Sequence, residues 1–140
     1  MNKNLPRGLR NNNPLNIRKS SVKWVGEVDG TDPDFCTFSD IFYGCRAALI
    51  NLRTHITQDK RRLIRTTVGS EITRWAPPIE NDTRAYINSV CAQIGMKADQ
   101  LLVFSDKHLV CQFLWAMAKH ECGASADIHL YWFERAYAMV

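Results

Sequence analysis

His120-Glu121-Cys122-Gly123 sets three side chains that can move protons or attack substrates beside a residue type that ends helices. In the run before it, Leu109, Val110, Phe113, Leu114 and Met117 form one stripe, and Cys111, Trp115, Ala116 and Ala118 make the other side apolar too. A helix apolar nearly all round is a central, buried one. A carboxylate at the C-terminal end of such a helix feels two effects of one sign. Burial disfavours the anion, and so does the negative end of the helix dipole. Both favour a carboxyl that keeps its proton near neutral pH, as a general acid for glycosidic cleavage must. The other reading of Glu121 is a frayed terminal side chain in solvent.

The same four residues argue against two other chemistries. A zinc site of the HExxH type needs a second histidine four positions after the first; Ala124 stands there, and His129 is too far along for one helical face. No metal and no other cofactor is expected. Cys122 as a thiol nucleophile would need a His and Asn/Asp order that marks cysteine hydrolases, and none is present.

Ser105 or Asp106 can cap the buried helix, which is predicted to run to about Glu121 with Gly123 just past its end. From Gly44 onward, Cys45, Ala48, Leu49, Leu52 and Ile56 fall on one face of another amphipathic helix. Lys60 to Arg65 is basic and reads as solvated. Ser70 can cap a short helix through Trp75, stopped by Pro77-Pro78. Asp82 can cap a helix carrying Tyr86, Ile87, Val90, Cys91 and Ile94, closed by Gly95. A last helix is predicted from Asp127 to about Met139, with Ile128, Tyr131, Trp132 and Arg135 on one side. Arg7 to Asn16 is rich in turn formers and reads as loop, not helix. Extended pieces around Leu15–Arg18, Lys23–Val28 and Phe35–Phe38, the last two separated by the turn signal Asp29-Gly30, predict a small twisted β-meander. The expectation is a mainly α chain with a small β-sheet (α+β): one domain over 1–140, β-rich over about 10–40 and helical over about 44–140.

A chain of 140 residues with 46% apolar and 23% charged residues can bury one core without disulfide staples, and its composition argues against disorder. The five cysteines, odd in number and without a CxxC pair, read as buried free thiols. The first fourteen residues hold no apolar h-region, and no apolar run reaches the roughly 18 residues of a membrane span. The chain is therefore expected to be made in the cytoplasm without a signal peptide. A substrate beyond the membrane, in the periplasm or cell wall, would require delivery by a phage or a secretion system. The net charge of +4 suits an anionic partner such as a cell-wall polymer. Nucleic acid is disfavoured, because Lys60-Arg61-Arg62 and Arg65 make only a short basic run with no binding motif beside it.

Two blocks carry a resemblance. Arg7-Gly8-Leu9-Arg10-Asn11-Asn12-Asn13-Pro14-Leu15-Asn16-Ile17-Arg18 is followed by Trp24-Val25-Gly26, Phe35, Phe38 and Gly44-Cys45-Arg46-Ala47. Ile72-Thr73-Arg74-Trp75-Ala76-Pro77-Pro78-Ile79-Glu80-Asn81-Asp82-Thr83 leads to Tyr86 and then to His120-Glu121-Cys122-Gly123, where the family usually has Asn in place of Cys122. Over about residues 7–123 these resemble the phage structural protein P-five family, a name that states a place in a virion and not a chemistry. The same segments also resemble the lysozyme superfamily in an altered order. Lytic transglycosylases and goose-type lysozymes place their acid at a helix end in a pattern like E-S-x-x-G, follow it with an Asn-rich strand region, and later open a helix with E-T-x-x-Y-V. Here the Asn-rich region comes first, Asp82-Thr83-Arg84-Ala85-Tyr86-Ile87 resembles the E-T-x-x-Y-V segment, and Glu121 comes last. That order resembles a circular permutation of the lysozyme core, which nearby domain termini make tolerable.

The resemblance implies a lysozyme-like fold and a peptidoglycan-cleaving glycosidase, a lytic transglycosylase or muramidase. Glu121 would protonate the glycosidic oxygen between N-acetylmuramic acid and N-acetylglucosamine. Tyr86 and Thr83 would line the sugar cleft, and Asn11, Asn12 and Asn13 would bind sugar hydroxyls or N-acetyl groups. Tyr86 also reads as core packing and the three asparagines as turn formers. Trp24 and Trp75 read either as sugar platforms or as core anchors. A hydrolase needs a second carboxylate, for which Asp29, Asp32, Asp34 and Asp40 are available with none singled out by spacing. A lytic transglycosylase needs only the acid. The implied partners are peptidoglycan glycan strands, with an immunity or inhibitor protein as a further candidate. The rival reading is a non-catalytic virion or secretion-apparatus component that binds cell wall.

Overall fold

In a computed structural model that describes residues 5–79 and 81–140, the helices expected from the apolar stripes all form. Residues 1–4, the start of the segment read for a leader, and Glu80 of the second block lie outside the described residues. Among the described residues the order is α1 (Arg7–Arg10), β1 (Glu27–Val28), β2 (Thr37–Phe38), α2 (Ile41–Arg61), α3 (Val68–Trp75), α4 (Thr83–Ile94), α5 (Lys107–Cys122) and α6 (Leu130–Tyr137). The architecture is mainly helical with a small antiparallel sheet.

Caps set most of the boundaries. Asp106 accepts from Leu109 N at the start of α5, and Asp82 from Ala85 N at the start of α4. Gly95 ends α4 in the left-handed conformation (φ 64°), which glycine adopts without a Cβ penalty. Four elements depart from expectation. α2 begins at Ile41, ahead of its apolar stripe, because Asp40 caps it by accepting from Phe42 N and Tyr43 N. α3 is capped by Thr67, and Ser70 is the reciprocal partner in a capping box rather than the cap. The segment read as pure loop holds one helical turn, α1, closed by Asn11 N donating to Arg7 O. α6 is shorter than expected; its inward residues are Phe133 and Ala136, while Tyr131 and Arg135 face solvent.

The sheet is slighter than a meander. β1 and β2 pair with Glu27 opposite Phe38 and Val28 opposite Thr37, and the Leu15–Arg18 piece adds a single bridge, Arg18 to Phe35.

α5 lies against α1, α2, α4 and α6. Phe113, Leu114 and Met117 on it are fully buried, as its pattern requires. Each such side chain contributes about 1.5–3 kcal/mol of burial free energy. One apolar cluster extends from Leu15 and Phe38 through α2 and α5 to Phe133. All five cysteines are free thiols. Burial pushes Cys36 and Cys111 up to about 11, which keeps them unreactive. Among the described residues, no helix is long and apolar enough to cross a membrane.

Candidate active site

α5 delivers Glu121 to the point where the N-terminal loop crosses the helix end. Glu121 is half-buried, not enclosed, and its Oε1 accepts a hydrogen bond from Asn16 Nδ2 at 3.1 Å. Asn16 holds a left-handed backbone (φ 54°), a conformation asparagine tolerates better than most residues. The next residue of the helix ties the same loop down: Cys122 Sγ lies 3.5 Å from Pro14 O. Burial, then the neighbouring Glu121 charge, push the Cys122 thiol up to about 12, so it is no nucleophile.

The asparagine run builds this loop from inside. Asn13 is fully buried; its amide nitrogen donates to Ile17 O (3.0 Å) and Cys36 O (2.9 Å), and its Oδ1 accepts from Ile17 N. Asn11, also buried, donates to Asp32 (2.9 Å). Asn12 donates to Phe38 O (3.0 Å). On the far side the loop presses on α2, where a Cβ on Gly44 would collide with the Asn12 carbonyl. The structure therefore brings the asparagine loop to Glu121, but through Asn16; the side chains of Asn11, Asn12 and Asn13 are engaged in holding the loop to the sheet.

Tyr86 reaches the same helix end from α4. It is buried, its hydroxyl donates to Met117 O at 3.4 Å, and its ring stacks on His120 with centroids 3.9 Å apart. Burial, then the Glu121 charge, hold its phenol well above the ordinary value, so it remains a hydroxyl. Thr83 is buried with its hydroxyl donated to Ala76 O at 2.6 Å, which pins the turn between α3 and α4.

Glu121, Asn16, Arg18, Phe35, Trp75 and Asn81 line a cleft of about 190 Å³. Asn16, Arg18 and Trp75 also border a second hollow of about 340 Å³ that continues to Ser20, Asn51 and His55. Trp75 forms the ridge between the two, its indole N–H donating to Leu15 O at 3.3 Å. Trp24 is not among the residues bordering either hollow. Behind His55 stands Glu71, 1% exposed, with Oε2 2.6 Å from the imidazole Nδ1. Burial raises the Glu71 carboxyl above its ordinary value, against the pull of His55 and Arg74.

None of Asp29, Asp32, Asp34 and Asp40 lines the Glu121 cleft. Asp32 is buried against Arg7, with Nε and Nη2 at 2.5 and 2.6 Å, and also accepts from Asp34 N and Phe35 N. Arg7, followed by desolvation in the opposite sense and these backbone donors, leaves its carboxyl well below the usual range. Asp40 is the α2 cap. Among the described residues no three His, Cys, Asp or Glu side chains cluster in a way that could hold a metal ion.

Sequence reading missed Asn16, Arg18, His55 and Glu71. Asn16 had a signal, its place in the asparagine-rich block, but nothing in the spacing told it from its neighbours. His55 and Glu71 sit on two different helices and carry no shared pattern.

No family model matches the chain. The chain is similar to Protein P5 of Pseudoalteromonas phage PM2, with 42% identity over a 100-residue alignment that covers 69% of this chain and 60% of that protein. The chain thus spans less than two thirds of that protein's length.

Proposed function

We propose that the chain is a lysozyme-like peptidoglycan glycosidase in which Glu121 protonates the glycosidic oxygen between N-acetylmuramic acid and N-acetylglucosamine. The observation that carries the reading is the Asn16–Glu121 hydrogen bond at 3.1 Å, set in a cleft lined by Trp75 and Phe35. A carboxyl held at one orientation by an amide, facing an aromatic-walled groove, has the form a general acid needs. The indole face of Trp75 suits the apolar face of a sugar ring. The order of segments adds support, since the asparagine loop reaches the Glu121 carboxylate through Asn16 and Tyr86, on another helix, stacks on the adjoining His120.

Among the described residues Glu121 is the sole carboxylate lining this cleft. That favours a lytic transglycosylase over a two-carboxylate hydrolase. Glu121 gives its proton to the leaving oxygen as the C1–O bond breaks. The muramoyl C6 hydroxyl then attacks C1 and returns its proton to Glu121, closing a 1,6-anhydro ring. Digestion of purified peptidoglycan, read by mass spectrometry, tests this. Anhydromuramoyl products that vanish in Glu121→Gln support it; no cleavage by the wild-type chain ends it.

The second reading is a non-catalytic virion or secretion-apparatus component that binds cell wall. The similarity to a phage protein favours it. Binding to intact peptidoglycan without any soluble product would select it.

A further inference from the structure

The hollow beyond Trp75 has a chemistry of its own. Arg18 borders it and, among the described residues, has no carboxylate within ion-pair distance; its guanidinium rests over the Phe35 ring, 5.1 Å from the centroid. His55 faces the hollow from α2 with its Nδ1 fixed on buried Glu71, which leaves Nε2 as the imidazole atom available to a ligand. Glu71 is in turn braced by Arg74, whose Nη1 lies 3.5 Å from its other oxygen, and Arg74 is paired with buried Asp59. The imidazole is therefore oriented by a buried carboxylate that is itself held, and its ring is not free to turn. Asn51 and Ser20 complete a polar wall. Among the described residues, no acidic side chain lines this hollow.

We infer that the hollow between Arg18, His55 and Trp75 is a recognition site for a carboxylate-bearing sugar. Resting on the reading of the cleft as a glycan groove, it takes the muramoyl unit whose C1–O bond is cleaved, since both neighbours of that unit are N-acetylglucosamine. Trp75 supplies the ring platform. The planar guanidinium of Arg18 matches a carboxylate with two parallel N–H donors. His55 offers Nε2 to a neighbouring hydroxyl or to the same carboxylate. Glu71 is a positioning residue, because it touches the imidazole and not the ligand. The lactyl carboxylate of N-acetylmuramic acid separates that sugar from N-acetylglucosamine and is free where the stem peptide has been removed, so the site selects peptide-free glycan strands over chitin.

The test is calorimetric titration of the full chain with the disaccharide of N-acetylglucosamine and N-acetylmuramic acid, against diacetylchitobiose, which lacks the lactyl group. Wild type is expected to bind the acidic disaccharide about 10-fold or more tightly, the size of a charge-assisted hydrogen bond. Arg18→Gln should bring the two sugars to equal affinity by weakening the acidic disaccharide more than chitobiose. His55→Gln should weaken the acidic disaccharide several-fold, and Glu71→Gln should do the same with His55 intact. Equal binding of both sugars by wild type, binding of neither, or an equal loss of both in Arg18→Gln overturns the inference. Cleavage is scored separately: a chain that cleaves without preferring the acidic sugar loses only this site, and one that binds it but never cleaves loses only the catalytic reading.

Discussion

Asn16 Nδ2 lies 3.1 Å from Glu121 Oε1, joining residues 105 positions apart across the mouth of the cleft. Through this contact the N-terminal loop orients the carboxyl that ends α5.

Glu121→Gln keeps the shape of the side chain but removes the transferable proton. The expected loss in cleavage rate is on the order of 10²–10⁴-fold, with an unchanged melting temperature. Turnover of labelled peptidoglycan, measured beside thermal unfolding, checks both halves. Substantial residual turnover would defeat Glu121 as the acid.

Asn16→Gly retains access to the left-handed backbone and deletes the amide. The fold is expected to persist and the cleavage rate to drop about 10–100-fold, because the acid loses its fixed orientation. Asn16→Val should instead lower stability, since a β-branched residue is strained at φ 54°. Comparing the two variants separates orientation of the acid from upkeep of the loop.

Asp32 and Glu71 should give opposite pH dependences. The folded pKa of Asp32 is depressed, so its contribution is present above the unfolded value near 3.9 and is lost as pH falls through the folded one. Glu71 is raised, so it favours folding most below its unfolded value near 4.3, and that contribution is lost as pH rises through the folded pKa. Denaturant unfolding across pH should therefore show a loss of stability in strong acid that Asp32→Asn removes. It should also show a decline above the ordinary glutamate range that Glu71→Gln removes. Unchanged slopes in the variants would contradict the assignments.

Gly44→Ala should cost more than 2 kcal/mol, although alanine is the better helix former, because its methyl would meet the Asn12 carbonyl. A measured gain in stability would show that the loop can yield there.

The fold was legible where physics is local. Apolar stripes located α2, α4 and α5, and Asp82, Asp106 and Gly95 marked ends through caps that need only neighbouring residues. The start of α2 was missed because Ile41, Phe42 and Tyr43 follow a competent cap yet are only half-buried, so no stripe announces them. The site was legible in part. Glu121 and Tyr86 stood out by their positions on helices, whereas the choice among the asparagines depended on tertiary contacts. Asn13 points inward because Ile17 and Cys36 offer it three backbone partners, and Asn16 is the asparagine that meets Glu121. His55 and Glu71 meet because tertiary folding brings a side chain of α2 to one of α3, which no spacing within either helix encodes.

The asparagine loop touches α2 at Gly44, the sheet at Cys36 and Phe38, and α5 at Cys122. It therefore has no hinge of its own. Its amides, such as Asn13 N, which donates to Gly8 O at 2.7 Å, should exchange with deuterium only when the whole domain opens. One wall of the cleft then belongs to the most slowly exchanging part of the molecule. A glycan strand would meet this wall already in place, and any movement on binding would fall to the side chains lining the groove.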